Sequence, residues 1–280
     1  MKEGQTLWTR DELVLAINLY CKLPFGKMHK TNAEIIKFAE LIDRTPSSIA
    51  LKLGNFASFD PSLKERGIKG ASNASKLDKL LWDEFYNNWD ASLFESEKLL
   101  SQKKHTTIEK LNHINIADLE KEGFDKKRLV KTRVNQNIFR TMILATYNNT
   151  CCITGINNPD LLIASHIVPW SKDEKNRLNP TNGLCLNALH DKAFDKGLIT
   201  ISAKDYTIRV SSKLKSKKAV LGITDNFINF DGIQINRECK VDCVNRILES
   251  TPDFKYNDKL REYQSPVWDG PLPGFFNIHD

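Results

Sequence analysis

The spacing of hydrophobic residues changes after Cys152, and this change restricts the possible folds of the 280-residue chain more than any other feature. Before Cys152, apolar residues recur every three or four positions, which is typical of helices with one buried face. After it, residues 161–166 form a short apolar run typical of a strand, and residues 184–186 can pair back against that strand. A short helix is predicted over residues 187–194. The sequence therefore predicts an α+β fold in which helices precede a strand, loop, strand and helix unit.

The first 95 residues have the pattern of a small all-helical domain with a helix-turn-helix plan. Thr9 and Glu12 have the spacing of a capping box, so a first helix is expected to begin there. Asn32 can cap a second helix, and Thr45 followed by proline can start a third helix after a short turn. A helix-turn-helix unit places its last helix in the major groove of DNA. The side chains expected to face the duplex are those of Arg44, Ser47, Ser48 and Lys52.

A further amphipathic helix leads into the strand region. It is predicted over residues 134–147 and buries Phe139 and the apolar residues that follow it at helical spacing. The opposite face carries three polar side chains that could contact a phosphate backbone. They are Arg133, Gln136 and Arg140.

The positive charge of the chain is unevenly distributed. The net charge is +6, from 41 Lys and Arg against 35 Asp and Glu, and none of the excess lies in residues 1–95. Basic clusters at residues 126–140 and 204–218 suit a phosphate backbone, although a solvated surface is the alternative interpretation. Because residues 1–95 are formally neutral, a dimerisation or protein-binding module is the alternative to a DNA reader there.

The overall composition indicates a folded protein without membrane segments. Apolar residues make up 40% and charged residues 27%, which is ordinary for globular domains. No window approaches the roughly 18–20 apolar residues of a membrane span, and the first residues lack the apolar run of a secretory signal. We therefore expect a cytoplasmic protein whose six cysteines are reduced.

Three polar residues stand out within the apolar strand, loop and helix region: His166 at a strand end, Asn182 in the loop and His190 on the short helix. Their order, His-Asn-His, resembles that of the HNH nucleases, which have the ββα-metal fold. The resemblance spans roughly residues 133–201. The segments that carry it are Ala164–Trp170, Asn179–Leu184 and Ala188–Leu198.

The resemblance implies a metal-dependent hydrolase of double-stranded DNA. His166 would be the general base, since a neutral imidazole can accept a proton from water. His190 would bind one divalent cation, Mg²⁺ or Mn²⁺, which stabilises charge on the phosphate and on the departing oxygen. Asn182 would hydrogen-bond across the loop and fix the strand that carries His166.

Two departures from the family pattern leave the ligand set open. Many members have a metal-binding Asp or His directly before the base, where this chain has Ser165. Asp191 and Asp195 are nearby carboxylates, but neither is spaced three or four residues from His190. Many members also hold a structural zinc with four cysteines, of which only Cys152 and Cys185 have counterparts here, so no structural zinc is expected.

We therefore predict a helical domain over residues 1–95 that recognises DNA, a connector over 96–130 and an HNH nuclease domain over 131–280. A restriction or phage-defence endonuclease is the favoured function. The alternatives are a non-catalytic DNA-binding regulator that retains the fold and a homing or phage-type nicking enzyme. The sequence also allows a homodimer.

Overall fold

The computed structural model describes residues 6–65, 70–71, 73–115, 126–202, 205–217 and 220–235. Helices occupy most of this part of the chain, and two small antiparallel sheets follow them, so the predicted α+β class is confirmed. None of the described helices is long and apolar enough to cross a membrane. Cys239 and Cys243 lie outside the described residues.

The bounds of the described elements agree with the predicted order. The strands are β1 (Leu162–His166), β2 (Gly183–Asn187), β3 (Ile199–Ile201) and β4 (Ile208–Val210). The helices are α1 (Arg10–Lys22), α2 (Ala33–Leu41), α3 (Pro46–Ala57), α4 (Pro61–Glu65), α5 (Lys76–Asn87), α6 (Trp89–Lys103), α7 (Ile108–Leu111), α8 (Lys126–Thr146), α9 (Ala188–Asp195), α10 (Ser212–Lys215) and α11 (Leu221–Asn226).

The first three helices have the predicted caps and the helix-turn-helix order. Thr9 and Glu12 form the capping box of α1, and Thr45 caps α3 with Pro46 in its first turn. The turn between α2 and α3 is tight because Asp43 has a φ of 54°, a left-handed conformation that Asp tolerates better than most residues. Helices α2 and α3 pack against each other, and α1 packs against α3.

The predicted outward direction of Lys52 is wrong. Its side chain is buried, and its Nζ lies 2.9 Å from each carboxylate oxygen of Asp78, which is itself fully buried. Nζ also lies 5.0 Å from the centre of the Trp8 ring. Lys52 follows Ile49 by three residues and therefore shares the inward face of α3, where Asp78 supplies the countercharge that a buried ammonium group requires.

Arg44 is also turned toward the protein rather than toward a DNA duplex. Its guanidinium group lies 2.9 Å from both carboxylate oxygens of Glu12 and donates to the carbonyls of Thr6 and Leu7. The side chain is 12% exposed. Because all these partners lie in the first turn of α1 or before it, Arg44 joins that region to the turn between α2 and α3 and is not available for DNA as predicted.

Helix α8 connects the helical part of the molecule with the sheets. It packs against α1 and α6 and also against β1 and β2. The buried apolar residues of both parts belong to one core cluster. Helix α6 runs through the predicted boundary at residue 95, so the division into domains stays a prediction.

Gly183, the first residue of β2, allows α8 to approach the sheet closely. A Cβ atom at this position would lie 2.3 Å from Cδ1 of Ile143 and 2.8 Å from Cζ of Phe139. We expect Gly183→Ala to lower the free energy of unfolding by about 1–3 kcal/mol, the usual cost of overpacking a core. Urea denaturation of this variant and of Gly222→Ala tests the prediction, since a Cβ on Gly222 would meet no atom within 4 Å. Equal stability of the two variants would contradict it.

Candidate functional site

The hairpin of β1 and β2 places the three predicted residues in one small unit. The strands are antiparallel, with His166 opposite Gly183 and Leu162 opposite Asn187. His166 therefore ends β1 at the point where the chain leaves the sheet, and Asn182 lies just before the chain returns. Helix α9 begins directly after β2 and packs against both strands.

Asn182 forms the hydrogen bonds across the loop that the resemblance predicts. Its side chain is fully buried, and Oδ1 accepts from the Val168 amide at 2.7 Å. Nδ2 donates to the carbonyls of Val168 and Asn176 at 3.1 Å each. The Asn182 carbonyl also accepts from the Ile167 amide. These bonds tie both ends of the loop together immediately beside His166.

The ring of His166 is held in one orientation and one tautomer. It stacks on Phe139 with centroids 3.8 Å apart, and Trp170 meets it edge-on at 5.5 Å. Nε2 lies 2.9 Å from the Arg177 carbonyl, which can only accept a hydrogen bond. Nε2 must therefore carry the proton, and Nδ1 has a lone pair that can accept another proton. This is the state that a general base requires.

The surroundings of His166 favour its neutral form. Burial lowers the pKa of His166 below its usual value of 6.5, whereas the Arg177 carbonyl and the negative charge of Asp195 oppose this shift. The lowering prevails because the half-buried ring has lost part of the water that stabilises an imidazolium ion. His166 is thus ready to accept a proton at neutral pH.

His190 occupies a different environment from the one predicted. Its side chain is 1% exposed, and both ring nitrogens have protein partners, Asn187 at 2.9 Å and the Asn226 carbonyl at 2.6 Å. Phe227 and Phe230 meet the ring edge-on. The residues that follow α10 therefore cover His190, and the structure does not present an open nitrogen for a metal ion.

Two carboxylates of α9, those of Asp191 and Asp195, lie near the end of β1. Asp191 is half-buried near Ser165, and Asp195 lies close enough to raise the pKa of both Asp191 and His166. Burial is the largest cause of the raised Asp191 pKa, and the Ser165 hydroxyl lowers it. The sequence contained a signal for this pair, because residues four apart share a helical face.

The oxygen atoms at this position fit a hard divalent cation. The Ser165 hydroxyl is buried beside Asp191, but no described group completes a hydrogen bond of good geometry with it. The described residues hold no cluster of three or more His, Cys, Asp or Glu side chains that could bind a metal. Mg²⁺ does not require one, because it commonly uses one or two carboxylates together with waters and substrate phosphates.

Three cysteines lie close to this unit. Cys152 and Cys185 are fully buried, as expected for thiols that act as small apolar residues. Cys151 is also buried. Burial raises the pKa of its thiol, but interactions with His190 and Thr154 outweigh this effect and bring it to about 7.

The side chains predicted to contact DNA divide into two groups. Arg133 and Gln136 on α8 and Ser47 on α3 are exposed, and Ser48 is half-buried. Arg140, in contrast, donates to the carbonyls of Leu162 and Pro159 at 2.5 and 2.8 Å. Its predicted position on a DNA-facing surface is wrong, because its guanidinium joins α8 to the start of β1.

Comparison with known families supports the assignment of the hairpin and α9. The sequence model of the family described as HNH endonuclease matches residues 151–202. The matched segment contains both strands of the hairpin, His166, Asn182 and all of α9. No curated protein matches the chain. The resemblance to HNH endonucleases is confirmed by the family match.

Proposed function

We propose that this chain is a metal-dependent endonuclease that hydrolyses phosphodiester bonds of double-stranded DNA between β1 and α9. The observation that carries the proposal is the state of His166. Its Nε2 proton is committed to the Arg177 carbonyl, so Nδ1 is the basic atom. The carboxylates of Asp195 and Asp191 lie near His166 and Ser165, at the end of β1.

Each residue of the site has a separate role in hydrolysis. His166 accepts the proton of the attacking water, while Phe139 and the Arg177 carbonyl keep its ring in place. Asn182 holds the loop on which that carbonyl depends. Asp191 and Asp195 would hold one divalent cation, Mg²⁺ or Mn²⁺. When bound, such an ion neutralises charge that develops on the phosphate and on the leaving oxygen.

The direct test is incubation of the protein with supercoiled plasmid in Mg²⁺, in Mn²⁺ and in EDTA, followed by sequencing of the ends. We expect cleavage only with metal. Undiminished cleavage in EDTA would contradict the mechanism, and DNA binding without any cleavage would favour a non-catalytic regulator. The ratio of nicked to linear product separates a nicking enzyme from one that cuts both strands.

We further propose a restriction or phage-defence role, in which the helix-turn-helix unit selects the DNA and α8 positions the duplex at the nuclease site. The exposed residues Arg133 and Gln136 on α8 would contact phosphates, and the hydroxyls of Ser47 and Ser48 on α3 would contact bases. Because the side chains of Arg44 and Lys52 point into the protein, Ser47 and Ser48 are the remaining residues of this unit that are predicted to contact bases.

Arg133→Ala and the double variant Ser47→Ala, Ser48→Ala should affect DNA binding differently. The first should weaken binding to all sequences alike and reduce the salt dependence by about one phosphate contact. The second should change the preference among sequences or modification states by roughly 1–3 kcal/mol. Binding to a panel of duplexes at two salt concentrations measures both effects. If the double variant keeps the wild-type preference, a dimerisation or protein-binding role becomes the better account of residues 1–95.

A further inference from the structure

The first turn of α9 also takes part in a buried polar group around His190. We call this group the His190 cluster and define it as Cys151, Thr154, Asn187, His190 and the Asn226 carbonyl. It joins three parts of the chain: the turn before β1, the junction of β2 with α9, and the end of α11. Cys151, Asn187 and His190 are all less than 9% exposed.

The orientation of Asn187 determines the state of the His190 ring. Oδ1 of Asn187 caps α9 by accepting from the His190 amide at 2.9 Å, so the other end of this side chain is the NH₂ group. That NH₂ group lies 2.9 Å from Nδ1 of His190 and 3.2 Å from the Thr154 hydroxyl. Nδ1 of His190 therefore accepts a hydrogen bond, and the ring proton is on Nε2.

The proton on Nε2 has a matching acceptor. The Asn226 carbonyl lies 2.6 Å from this nitrogen, and a carbonyl accepts but does not donate. Both ring nitrogens of His190 therefore already have hydrogen-bond partners within the protein. A metal ion on His190 would have to displace either the cap of α9 or the end of α11.

Cys151 fixes the same junction from the other side. Its Sγ accepts from the Asn187 amide at 3.3 Å, and its own amide donates to the Ile156 carbonyl. Asn187 is therefore held through its amide and through both ends of its side chain. The position at which β2 becomes α9 is determined by these contacts.

Because α9 is a regular helix, this constraint also sets the directions of the side chains of Asp191 and Asp195. Each residue turns an α-helix by about 100°, so the side chain of Asp191 follows His190 by about 100° and that of Asp195 by about 140°. Fixing His190 against the core therefore sets the direction in which both carboxylates point. We propose that His190 is a positioning residue that orients Asp191 and Asp195 and does not itself bind the metal ion.

This inference rests on the proposed function, since it assigns the metal ion to the two carboxylates. Nuclear magnetic resonance of the wild-type histidine rings tests it directly. The nitrogen shifts of His190 should report a proton on Nε2 without metal and should stay unchanged when Mg²⁺ is added. A change in the ring nitrogen shifts of His190 that tracks metal binding would overturn the inference.

Variants compared by Mn²⁺ binding, followed by electron paramagnetic resonance, provide the second test. His190→Gln keeps an NH₂ group that can reach the Asn226 carbonyl. We therefore expect it to lose less than about tenfold in affinity, below the 10–100-fold that is typical when an outer-shell partner is lost altogether. Asp195→Asn should lose most binding. Equal losses in the two variants would overturn the inference. Wild-type affinity in Asp195→Asn would instead refute the metal assignment of the proposed function. The nuclear magnetic resonance experiment would still decide whether the ring nitrogens of His190 keep their hydrogen-bond partners within the protein.

Discussion

His166→Ala should slow DNA cleavage by about 10²–10⁴-fold, the usual loss when a general base is removed. The affinity for DNA should stay near that of the wild type, because the imidazole contacts Phe139, Trp170 and the Arg177 carbonyl and makes no predicted phosphate contact. Single-turnover cleavage and equilibrium binding of the same duplex separate the two effects.

The pH dependence of the wild type provides an independent check of this role. The pKa of His166 is lowered from 6.5, mainly by burial, so the cleavage rate should fall on the acid side only below about that value. His29→Ala is a suitable control, because His29 is exposed and lies between α1 and α2, outside the hairpin. Equal losses of binding and cleavage in His166→Ala would show that the residue is structural and not the base.

Asp191→Asn and Asp195→Asn should each reduce metal-dependent cleavage by at least about 10²-fold. Replacement of a residue that only supports a metal ligand already costs 10–100-fold, and a ligand itself should cost more. The amide keeps the size of the side chain and removes the negative charge that holds a divalent cation. Higher Mn²⁺ concentrations should restore part of the activity, since the defect lies in metal affinity.

The measurement is the cleavage rate of each variant across a range of Mg²⁺ and Mn²⁺ concentrations. Asp160→Asn is the matched control, because Asp160 is an exposed carboxylate that lies before β1. Cleavage by both α9 variants at the wild-type metal concentration and rate would exclude the carboxylates as ligands.

The sequence was informative where local patterns determine the structure. The capping residues of α1, α2 and α3 are local signals, and their helices begin as predicted. The hairpin could be predicted because two short apolar runs flank a polar loop. Asn182 could be assigned a role because the resemblance covers the loop in which it forms its bonds.

The sequence was less informative where a distant residue decides the direction of a side chain. Lys52 is turned inward by Asp78, which is 26 positions away. His190 is covered by Asn226, 36 positions away, in a segment without a strong hydrophobic pattern. No local rule identifies such partners, because tertiary packing brings them together. For Asp191 and Asp195, by contrast, the four-residue spacing by itself indicates a shared helical face.

Helix α9 follows β2 without a connector, and this restricts where the chain length of the unit can change. Asn187 is both the last residue of the strand and the cap of the helix. An insertion of one residue there would rotate α9 by about 100° relative to the hairpin and carry its carboxylates away from His166. Length changes in the surface loop between Val168 and Asn176 would leave that rotation untouched. Natural variation in chain length within this unit should therefore concentrate in the loop and avoid the junction.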